Sequence, residues 1–284
     1  MRNPELSVNL SKYTTLGVGG KADFLATTSN HADLVAALTW AKNENIPFLV
    51  LGGGSNVLIS DTGFRGLVVI NHAGECNLTG AILSVDSGAN FGKIARETLN
   101  ENLVGLHFGA GIPGTIGGAI AGNAGALGWD ISKTLKSAEV WINGEVETWD
   151  AADFEFEYRK SKLKGKNDAV ILSAVFDLLP GNTDELLGII NEDRERRAAS
   201  YLGRTCGSYF KNPDGKSAGE LIDKLGLKGY QIGGAEISPL HANVLRNVGD
   251  ATAKDFIELE NYIINKVKKA YGIMLEVEVT KIGL

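Results

Sequence analysis

Twenty residues in the middle of the chain, from Gly109 to Gly128, contain eight glycines together with Pro113 and Asn123. Glycine weakens a helix and proline removes a backbone donor, so this stretch cannot form one long helix. Its Gly114/Gly118 spacing also occurs where membrane helices pack, but the composition makes a poor apolar span. We therefore expect loops and short elements here, in a soluble protein.

Two further glycine clusters lie at residues 17–20 and 52–56. Glycine tolerates positive φ and lets the backbone approach a ligand, so successive N–H groups can converge on a phosphate. An isolated cluster is more often only a tight turn. Gly17-x-Gly19-x-x-Ala22 has the letters of the dinucleotide fingerprint, but no strand precedes it and no helical pattern follows. No GxxxxGK[ST] motif occurs, so neither a Rossmann site nor a P-loop is predicted.

Around the glycine clusters, the sequence predicts a mixture of helices and strands. Apolar spacing predicts helices over 30–44, with Asn30 as the cap, and over 91–99. Asn143-Gly144 between two alternating runs predicts a two-residue hairpin. Short apolar runs predict strands over 46–51, 67–70 and 170–178.

The last hundred residues change character. A helix is predicted over 183–199, and capping patterns at Ser217 and Thr252 open two more, the second closed by Gly272. Residues 273–282 alternate strictly between apolar and polar, which predicts one continuous strand.

Length and charge limit the class of protein. With 284 residues, 44% of them hydrophobic, the chain has material for two or three packed lobes. A net charge of -6 gives no general attraction to nucleic acid or to anionic lipid. Cys76 and Cys206 form no disulfide framework and lack metal-ligand spacing, and residues 1–11 carry no secretory pattern. We expect a cytoplasmic protein without a metal.

A series of motifs in fixed order covers nearly the whole chain. They are Thr14–Gly20 (TTLGVGG), Leu51–Leu58 (LGGGSNVL), Gly111–Gly118 (GIPGTIGG), Tyr158-Arg159, Gly207–Pro213 (GSYFKNP), His241–Asn243 (HAN) and Leu275–Val279 (LEVEV). Together they resemble the UDP-N-acetylenolpyruvoylglucosamine reductase (MurB) family of bacterial cell-wall synthesis. The length resembles the family's shorter type, which lacks a tyrosine loop over the substrate. The resemblance therefore does not indicate which segment covers the sugar nucleotide.

The resemblance implies an α+β fold in which two FAD-binding lobes, of the p-cresol methylhydroxylase/vanillyl-alcohol oxidase type, join a C-terminal α/β substrate lobe. It suggests lobes at 1–71, which the strand 273–284 is a candidate to join, at 72–200 and at 201–272. The implied activity is NADPH-dependent reduction of UDP-N-acetylglucosamine enolpyruvate to UDP-N-acetylmuramate through non-covalent FAD, in peptidoglycan precursor synthesis. We expect a monomer without nucleic-acid or membrane partners.

The resemblance also assigns binding residues. The 52–56 loop would wrap the FAD pyrophosphate, and the 111–118 loop with Asn123 would lie along the flavin. The implied cofactor residues are Gly52, Gly53, Gly54, Ser55, Asn56, Val57, Gly111, Ile112, Gly114, Thr115, Gly117, Gly118 and Asn123. The implied substrate residues are Tyr158, Lys211, Asn212 and His241. A purely structural histidine remains an equal interpretation of His241.

Three catalytic positions follow from the family chemistry, in which a hydride reaches the vinyl carbon of the enolpyruvyl group. Arg159 is the candidate to support the developing charge, because a guanidinium can grip a carboxylate with two hydrogen bonds. On spacing alone it is a solvated arginine in the charge run 159–162. Ser208 is the candidate proton donor, and without its family motif it reads as a turn serine.

Glu278 is the third candidate. Strand geometry places it on the same face as Glu276, about 7 Å away. A bare carboxylate would repel an enolate, so we expect Glu278 to be protonated or paired with Arg159 when charge develops. Members of the family commonly carry Arg where this chain has Thr280. Under strict alternation Lys281 points to the opposite face, so we do not expect it to replace that flavin contact.

Two other functions remain open at this point. A flavin-dependent alcohol or phenol oxidase of the same fold often attaches FAD through His or Cys, and the 52–56 loop contains neither. A nucleotide-sugar binding protein without catalysis is disfavoured because Arg159, Ser208 and Glu278 are all present.

Overall fold

The computed structural model describes residues 4–166 and 168–284. The helices are α1 His31–Asn43, α2 Phe91–Asn100, α3 Ile116–Ala121, α4 Thr183–Ser200, α5 Ala218–Asp223 and α6 Ala253–Tyr271. Short 3-10 turns occupy Leu10–Tyr13, His107–Gly111, Ile131–Lys133 and Ala151–Phe154.

The strands alternate with these helices, giving the mixed α and β content that the sequence predicts. They are β1 Glu5–Asn9, β2 Lys21–Thr28, β3 Phe48–Leu51, β4 Val57–Ile59, β5 Phe64–Asn71, β6 Cys76–Thr79, β7 Ile82–Asp86, β8 Leu103–Val104, β9 Gly125–Ala126, β10 Trp129–Asp130, β11 Leu135–Ile142, β12 Glu145–Asp150, β13 Ala169–Asp177, β14 Leu179–Pro180, β15 Arg204–Ser208, β16 Gln231–Ile232, β17 Ala235–Ile237, β18 Val244–Asn247 and β19 Thr280–Ile282.

The chain folds into two compact units. The first consists chiefly of Asp23–Gly53 and Arg65–Glu195, and the second of Val8–Ala22, Gly54–Phe64 and Arg196–Leu284. Both units are therefore discontinuous in sequence. The three lobe boundaries suggested by the resemblance remain a prediction.

The first unit contains most of a four-stranded sheet in the order β1-β2-β5-β3, in which β3 and β5 are parallel. Helix α1 begins as predicted, because the Asn30 side chain accepts a hydrogen bond from the Asp33 amide at 2.8 Å. The apolar face of α1 is fully buried in a core that includes Leu67 and Trp141. The helical spacing in the sequence thus identified the buried face.

A five-stranded antiparallel sheet, β12-β11-β13-β7-β6, also belongs to the first unit. The predicted hairpin joins β11 to β12, with Ile142 paired to Glu145. Asn143 and Gly144 have φ of 50° and 91°, as a type I′ turn requires. This sheet, α2 and α3 enclose the largest apolar core of the unit.

The second unit is built on the antiparallel sheet β15-β18-β17-β16 with helices α5 and α6. The apolar stripe of α6, including Phe256, Leu259 and Ile263, lies fully buried in its core. A capping box formed by Thr252 and Asp255 opens α6, and Gly272, with φ of 72°, closes it. Both ends were predicted from the sequence.

The C-terminal segment differs from the prediction. Instead of one strand over 273–282, only β19 is a regular strand, and it runs parallel to β4. Upstream, Val277 forms an isolated antiparallel bridge with Phe210. The apolar alternation reports burial of Leu275 and Val279 but not pairing, and the segment changes partner between these contacts.

The glycine-rich middle is divided as expected into a 3-10 turn, the six-residue α3 and the short strands β9 and β10. Among the described residues, none of the helices combines the length and the apolar character needed to span a bilayer.

The capping box of α6 gives a first prediction. Thr252 Oγ1 accepts from the Asp255 amide at 3.1 Å, and an Asp255 carboxylate oxygen accepts from the Thr252 amide at 2.9 Å. Thr252→Ala should lower the free energy of unfolding by about 1 kcal/mol, because one helix donor loses its acceptor. Thr252→Ser keeps the hydroxyl and should stay close to wild type. Urea denaturation measures both, and equal losses in the two variants would contradict the capping role.

Candidate functional site

In the first unit, two of the predicted cofactor loops pack directly against each other. A Cβ atom added to Gly52 would lie 2.3 Å from Thr115 Oγ1, and one added to Gly53 would lie 3.1 Å from the Gly114 Cα. A side chain at position 52 would collide with that of Thr115, and one at position 53 would press on the main chain of Gly114. The structure therefore brings the 52–53 and 114–115 stretches together, although sixty residues separate them.

Helix α3 follows directly from this contact. Its cap is Thr115, whose side chain accepts from the Gly118 amide at 3.4 Å. On one side Gly117 is pressed against Ser87, where an added Cβ would lie 2.9 Å from the Ser87 Cβ. On the other side Gly118 is open, since an added Cβ would meet only Thr115 Oγ1, at 3.7 Å. The start of α3 thus presents an uncovered backbone surface.

The remaining residues of this predicted loop have structural contacts. Gly111 ends the 3-10 turn, and the Ile112 amide donates to the Gly109 carbonyl at 2.9 Å. Ile112 is half-buried against the apolar core. These contacts fix the path of the loop into Gly114, whose φ is 128°.

Asn123 is 4% exposed and connects three segments. Its amide nitrogen donates to the Glu157 carbonyl at 3.0 Å, and its amide oxygen accepts from the Ser132 amide at 3.2 Å. The side chain thereby holds the turn around Arg159 next to the end of α3. Its predicted contact with a flavin stays a prediction.

Arg159 lies at the tip of a tight turn between the paired residues Glu157 and Lys160. Its φ of 57° is unusual for a non-glycine residue. A guanidinium nitrogen donates to the Gly125 carbonyl at 2.6 Å, and the guanidinium carbon lies 5.2 Å from the centre of the Tyr158 ring. Arg159 is therefore a held, half-buried side chain, whereas Tyr158 itself is 55% exposed.

In the second unit, Gly54 begins the rest of the 52–56 loop and packs on the first glycine motif. Its φ is 58°, and an added Cβ would lie 1.9 Å from the Tyr13 carbonyl oxygen. The Thr15 amide donates to the Gly54 carbonyl at 3.1 Å. Two motifs that are forty residues apart in sequence form one local structure here.

The loop continues through Ser55 and Asn56 into β4, where Val57 is paired with Thr280. The Thr280 amide donates to the Asn56 carbonyl at 3.0 Å, and the Asn56 side-chain amide donates to the Glu278 carbonyl at 3.5 Å. The glycine loop and the predicted catalytic glutamate therefore share one hydrogen-bonded framework.

The Ser208 and Glu278 motifs are adjacent in the same unit. The Glu278 amide donates to the Tyr209 carbonyl at 2.9 Å, and the Lys211 amide donates to the Glu276 carbonyl at 2.8 Å. The main chain that follows Ser208 thus runs antiparallel beside the main chain of Glu278.

Strand β15 ends at Ser208, which pairs with Val244. A bulge lies between Thr205 and Ser208. Gly207, with φ of 80°, turns the chain, and its amide donates to Thr205 Oγ1 at 3.2 Å. The Ser208 Oγ lies 3.3 Å from the hydroxyl oxygen of Tyr201. The hydroxyl that bonds the local turn is therefore that of Thr205, while Ser208 contacts a side chain.

The neighbouring thiol has a different environment. Cys206 is buried, and burial raises its pKa to about 12, with the Glu278 carboxylate adding to the effect. The carboxyl of Glu278 is thus electrostatically coupled to the strand that carries Ser208. The thiol itself is protonated and inert at neutral pH.

The predicted substrate residues Lys211 and Asn212 follow on the same segment. The Lys211 side chain is only 12% exposed, and its ammonium group lies 2.5 Å from a carboxylate oxygen of Glu276, which is 71% exposed. Asn212 accepts from the Ala218 amide at 3.0 Å and so supports the start of α5. Of the two glutamates expected on one face, Glu276 lies at the surface and pairs with Lys211.

His241 lies close to the same helix, because a Cβ added to Gly219 would be 3.2 Å from its Cε1 atom. Its Nδ1 accepts from the Asn243 amide at 3.1 Å, which fixes the ring. Burial lowers the pKa of His241, and the charges of Arg196 and Lys228 lower it further. The imidazole is therefore neutral at neutral pH. Its ring centroid lies 6.1 Å from the ring centroid of Tyr201.

Sequence reasoning missed several residues that organise this part. The side-chain oxygen of Asn243 accepts from the Phe210 amide at 2.9 Å, and its side-chain nitrogen donates to the Phe210 carbonyl at 2.8 Å. Its position in the His241–Asn243 motif was the available signal. Buried Glu260 accepts from the Tyr209 hydroxyl at 3.1 Å and from Lys281 at 2.7 Å. No local pattern marks either Glu260 or Tyr201.

The donor sets indicate which groups the chain can hold. The packed loops at Gly52–Gly53 and Gly114–Thr115, next to the open Gly118, offer main chain without obstructing side chains, which fits a bound dinucleotide such as FAD. In the part of the chain that the structure describes, no three His, Cys, Asp or Glu side chains group in a way that could hold a metal ion.

Comparisons with known protein families match two regions of the chain. Residues 198–282 match the family model of the UDP-N-acetylenolpyruvoylglucosamine reductase C-terminal domain, and residues 22–148 match that of an FAD binding domain. The UDP-N-acetylenolpyruvoylglucosamine reductase of Streptococcus pyogenes serotype M5 (strain Manfredo) is 41% identical over 279 residues, covering 96% of this chain and 94% of that protein. The enzyme of the same name from Streptococcus pneumoniae (strain Hungary19A-6) is 40% identical, covering 96% and 92%.

A solved structure agrees over the same length. The crystal structure of UDP-N-acetylenolpyruvylglucosamine reductase (MurB) from Thermus caldophilus matches with a TM-score of 0.83 and 33% identity, covering 98% of each chain. The predicted α+β fold, with an FAD-binding domain and a C-terminal substrate domain, is thereby confirmed.

Two glycines provide a matched test of the loop packing. Gly54 and Gly80 have φ of 58° and 59°, but nothing lies within 4 Å of a Cβ added to Gly80. Gly80→Ala should lower the free energy of unfolding by about 1 kcal/mol, the conformational term alone. Gly54→Ala adds the collision with the Tyr13 carbonyl and should cost about 3 kcal/mol or more. Urea denaturation of the flavin-free protein measures both, and equal losses would contradict the close packing.

The environment of His241 gives a pH prediction. Its pKa in the folded protein lies below the ordinary value of 6.5. The unfolded chain therefore binds the proton first, so the free energy of unfolding falls as pH drops below about 6.5 and stops falling below the folded pKa. Imidazole NMR titration of wild type and His241→Gln identifies the resonance. A His241 resonance that titrates above 6.5 would contradict the burial.

Proposed function

The chain belongs to the UDP-N-acetylenolpyruvoylglucosamine reductase family, and we propose that Arg159, Ser208 and Glu278 are its catalytic side chains. It is an FAD-dependent oxidoreductase of peptidoglycan precursor synthesis that reduces UDP-N-acetylglucosamine enolpyruvate to UDP-N-acetylmuramate with NADPH as co-substrate. The observation that carries the catalytic proposal is the main-chain pairing between the segment after Ser208 and Glu276–Glu278.

The reaction defines what the side chains must do. When bound, FAD accepts a hydride from NADPH and supplies it to the double bond of the enolpyruvyl group. Negative charge then develops beside the substrate carboxylate, and the neighbouring carbon must receive a proton. The protein therefore has to supply a cation or hydrogen-bond donors for the charge and one acid at the right place.

Arg159 supplies the cation. A guanidinium has five N–H donors, so the bond to the Gly125 carbonyl is compatible with a second grip on a carboxylate. The hydrogen bonds of Asn123 and the turn at Glu157–Lys160 support this role, since they limit the positions of the guanidinium.

Ser208 supplies the proton. An aliphatic hydroxyl is a weak acid, but an enolate is basic enough to take its proton when the two are held in line. The paired strand and the left-handed Gly207 hold the Ser208 backbone. The adjacent Cys206 is not the acid, because its buried thiol points into the apolar core.

Glu278 completes the set. Its amide is bonded to Tyr209 and its carbonyl to Asn56, so its backbone is held from two sides. We assign to it a carboxyl that is protonated, or paired with Arg159, as charge develops on the substrate. An ionised, unpaired carboxylate would raise the energy of the enolate.

The cofactor and substrate assignments are part of the same proposal. FAD binds non-covalently through the main chain of 52–57 and 111–118 and through Asn123. Lys211, with Asn212, His241 and Tyr158, faces the UDP-sugar, and Lys211 exchanges Glu276 for a phosphate oxygen. We further propose a cytoplasmic monomer of the family's shorter type, with lobes at 1–71, 72–200 and 201–272.

Separating the two half-reactions tests the catalytic proposal. With Ser208→Ala, NADPH should bleach the flavin at the wild-type rate, while reoxidation of the reduced flavin by the UDP-enolpyruvyl sugar should slow by about 10²–10⁴-fold. Stopped-flow absorbance in the flavin band measures both rates. Unchanged reoxidation would remove Ser208 from the mechanism.

Companion variants separate the other two roles. Arg159→Lys keeps the charge but loses the planar fork, and it should weaken reoxidation without altering bleaching. Glu278→Gln keeps the shape and should also slow reoxidation. If Glu278→Gln reoxidises like wild type, the carboxyl has no part in the chemistry.

A further inference from the structure

Tyr201, which belongs to none of the sequence motifs, contacts Ser208, the predicted proton donor. The hydroxyl oxygen of Tyr201 is 3.3 Å from Ser208 Oγ, and either group can be the donor. We propose that Tyr201 is a positioning residue that orients the Ser208 hydroxyl and returns a proton to its oxygen. This inference rests on the role proposed above for Ser208.

The contact joins two well-held pieces of backbone. Tyr201 directly follows α4, and its amide donates to the Arg197 carbonyl at 2.9 Å, which extends the helical pattern by one residue. Ser208 is held by its pairing with Val244. A serine hydroxyl rotates freely about its C–O bond, so when Tyr201 donates to Ser208 Oγ it occupies one lone pair there and leaves the serine proton pointing away from the tyrosine.

The proton balance of the reaction gives Tyr201 a second task. Ser208 gives its hydroxyl proton to the substrate carbon, after the hydride has reached the adjacent carbon, and a new C–H bond forms. The serine oxygen is left with a negative charge that an aliphatic alcohol carries poorly. Tyr201 passes its phenolic proton to that oxygen, and half-buried Tyr201 then regains a proton from water.

The ring of Tyr201 is held against a neutral neighbour. Its centroid lies 6.1 Å from that of His241, with the planes tilted by 30°. The Nδ1 of His241 accepts from the Asn243 amide, so this atom carries no proton. Burial and nearby cations lower the pKa of His241, which agrees with a packing role for the ring.

The nearby polar groups of the strand are unsuited to the same task. The Tyr209 hydroxyl is buried and donates to Glu260 at 3.1 Å, and burial raises its pKa. The Cys206 thiol lies in the apolar core. Thr205 Oγ1 accepts from the Gly207 amide. Among these side chains, Tyr201 is the one that contacts Ser208.

Tyr201→Phe is the direct test, because it removes only the hydroxyl. In the flavin-loaded enzyme, reoxidation by the UDP-enolpyruvyl sugar should slow by about 10- to 100-fold, while NADPH-dependent bleaching stays at the wild-type rate. The matched control is Tyr271→Phe, at the exposed end of α6, which should leave both rates unchanged.

A double variant distinguishes positioning from packing. In the Ser208→Ala background, Tyr201→Phe should cause no further loss of reoxidation, because the hydroxyl it serves is gone. If Ser208→Ala slows reoxidation but Tyr201→Phe does not, the role of Tyr201 is wrong and that of Ser208 stands. If Ser208→Ala has no effect, the proposed function of Ser208 fails first.

Equilibrium binding gives a readout that is independent of turnover. The affinity of UDP-N-acetylmuramate for Tyr201→Phe, measured by calorimetry, should stay within about twofold of wild type, since the phenol acts on a proton and not on the product. Loss of binding in parallel with loss of rate would show that the variant disturbs the site as a whole, and would overturn the inference.

Discussion

The main chain between Glu276 and Ile282 fixes the positions of two predicted functional motifs at once. Its first part pairs antiparallel with the segment after Ser208, and β19 then pairs parallel with β4, directly after the 52–56 glycine loop. The change of partner takes place within a few residues. The segment after Ser208 and the 52–56 glycine loop come from distant parts of the sequence, and both are hydrogen-bonded to this one stretch of main chain within the second unit.

Buried charge reinforces the same framework. Glu260, on α6, accepts from both the Tyr209 hydroxyl and the Lys281 ammonium group. A buried carboxylate is costly unless it is paired and hydrogen-bonded, and removal of one partner leaves an uncompensated charge. Tyr209 follows Ser208 in sequence and Lys281 lies in β19, so this trio joins the two strands from the side of the core. The role of the trio is to hold these two segments in place, not to take part in the reaction.

The sequence predicted those features that depend on neighbours along the chain. The caps at Asn30 and Thr252 and the Asn143-Gly144 hairpin follow from local backbone chemistry, and all three were confirmed. Pairing between distant segments is different, because alternation reports which side chains are buried but not which strand lies alongside. The strand over 273–282 was therefore too long. Tyr201 and Glu260 carry no local signal, and their roles depend on partners that only the folded chain brings close. The roles of Arg159, Ser208 and Glu278 came from the family resemblance and stay predictions.

The burial of Cys206 has a consequence for the durability of a flavoprotein. With a pKa of about 12, only about one thiol in 10⁵ is a thiolate at neutral pH. Reduced flavins react with oxygen to give peroxide, and peroxide oxidises thiolates to sulfenic acid and beyond. An exposed thiolate two residues from Ser208 would be readily oxidised by that peroxide. Because the Cys206 thiol is buried in the apolar core and protonated, we expect it to resist oxidation by peroxide from the cofactor.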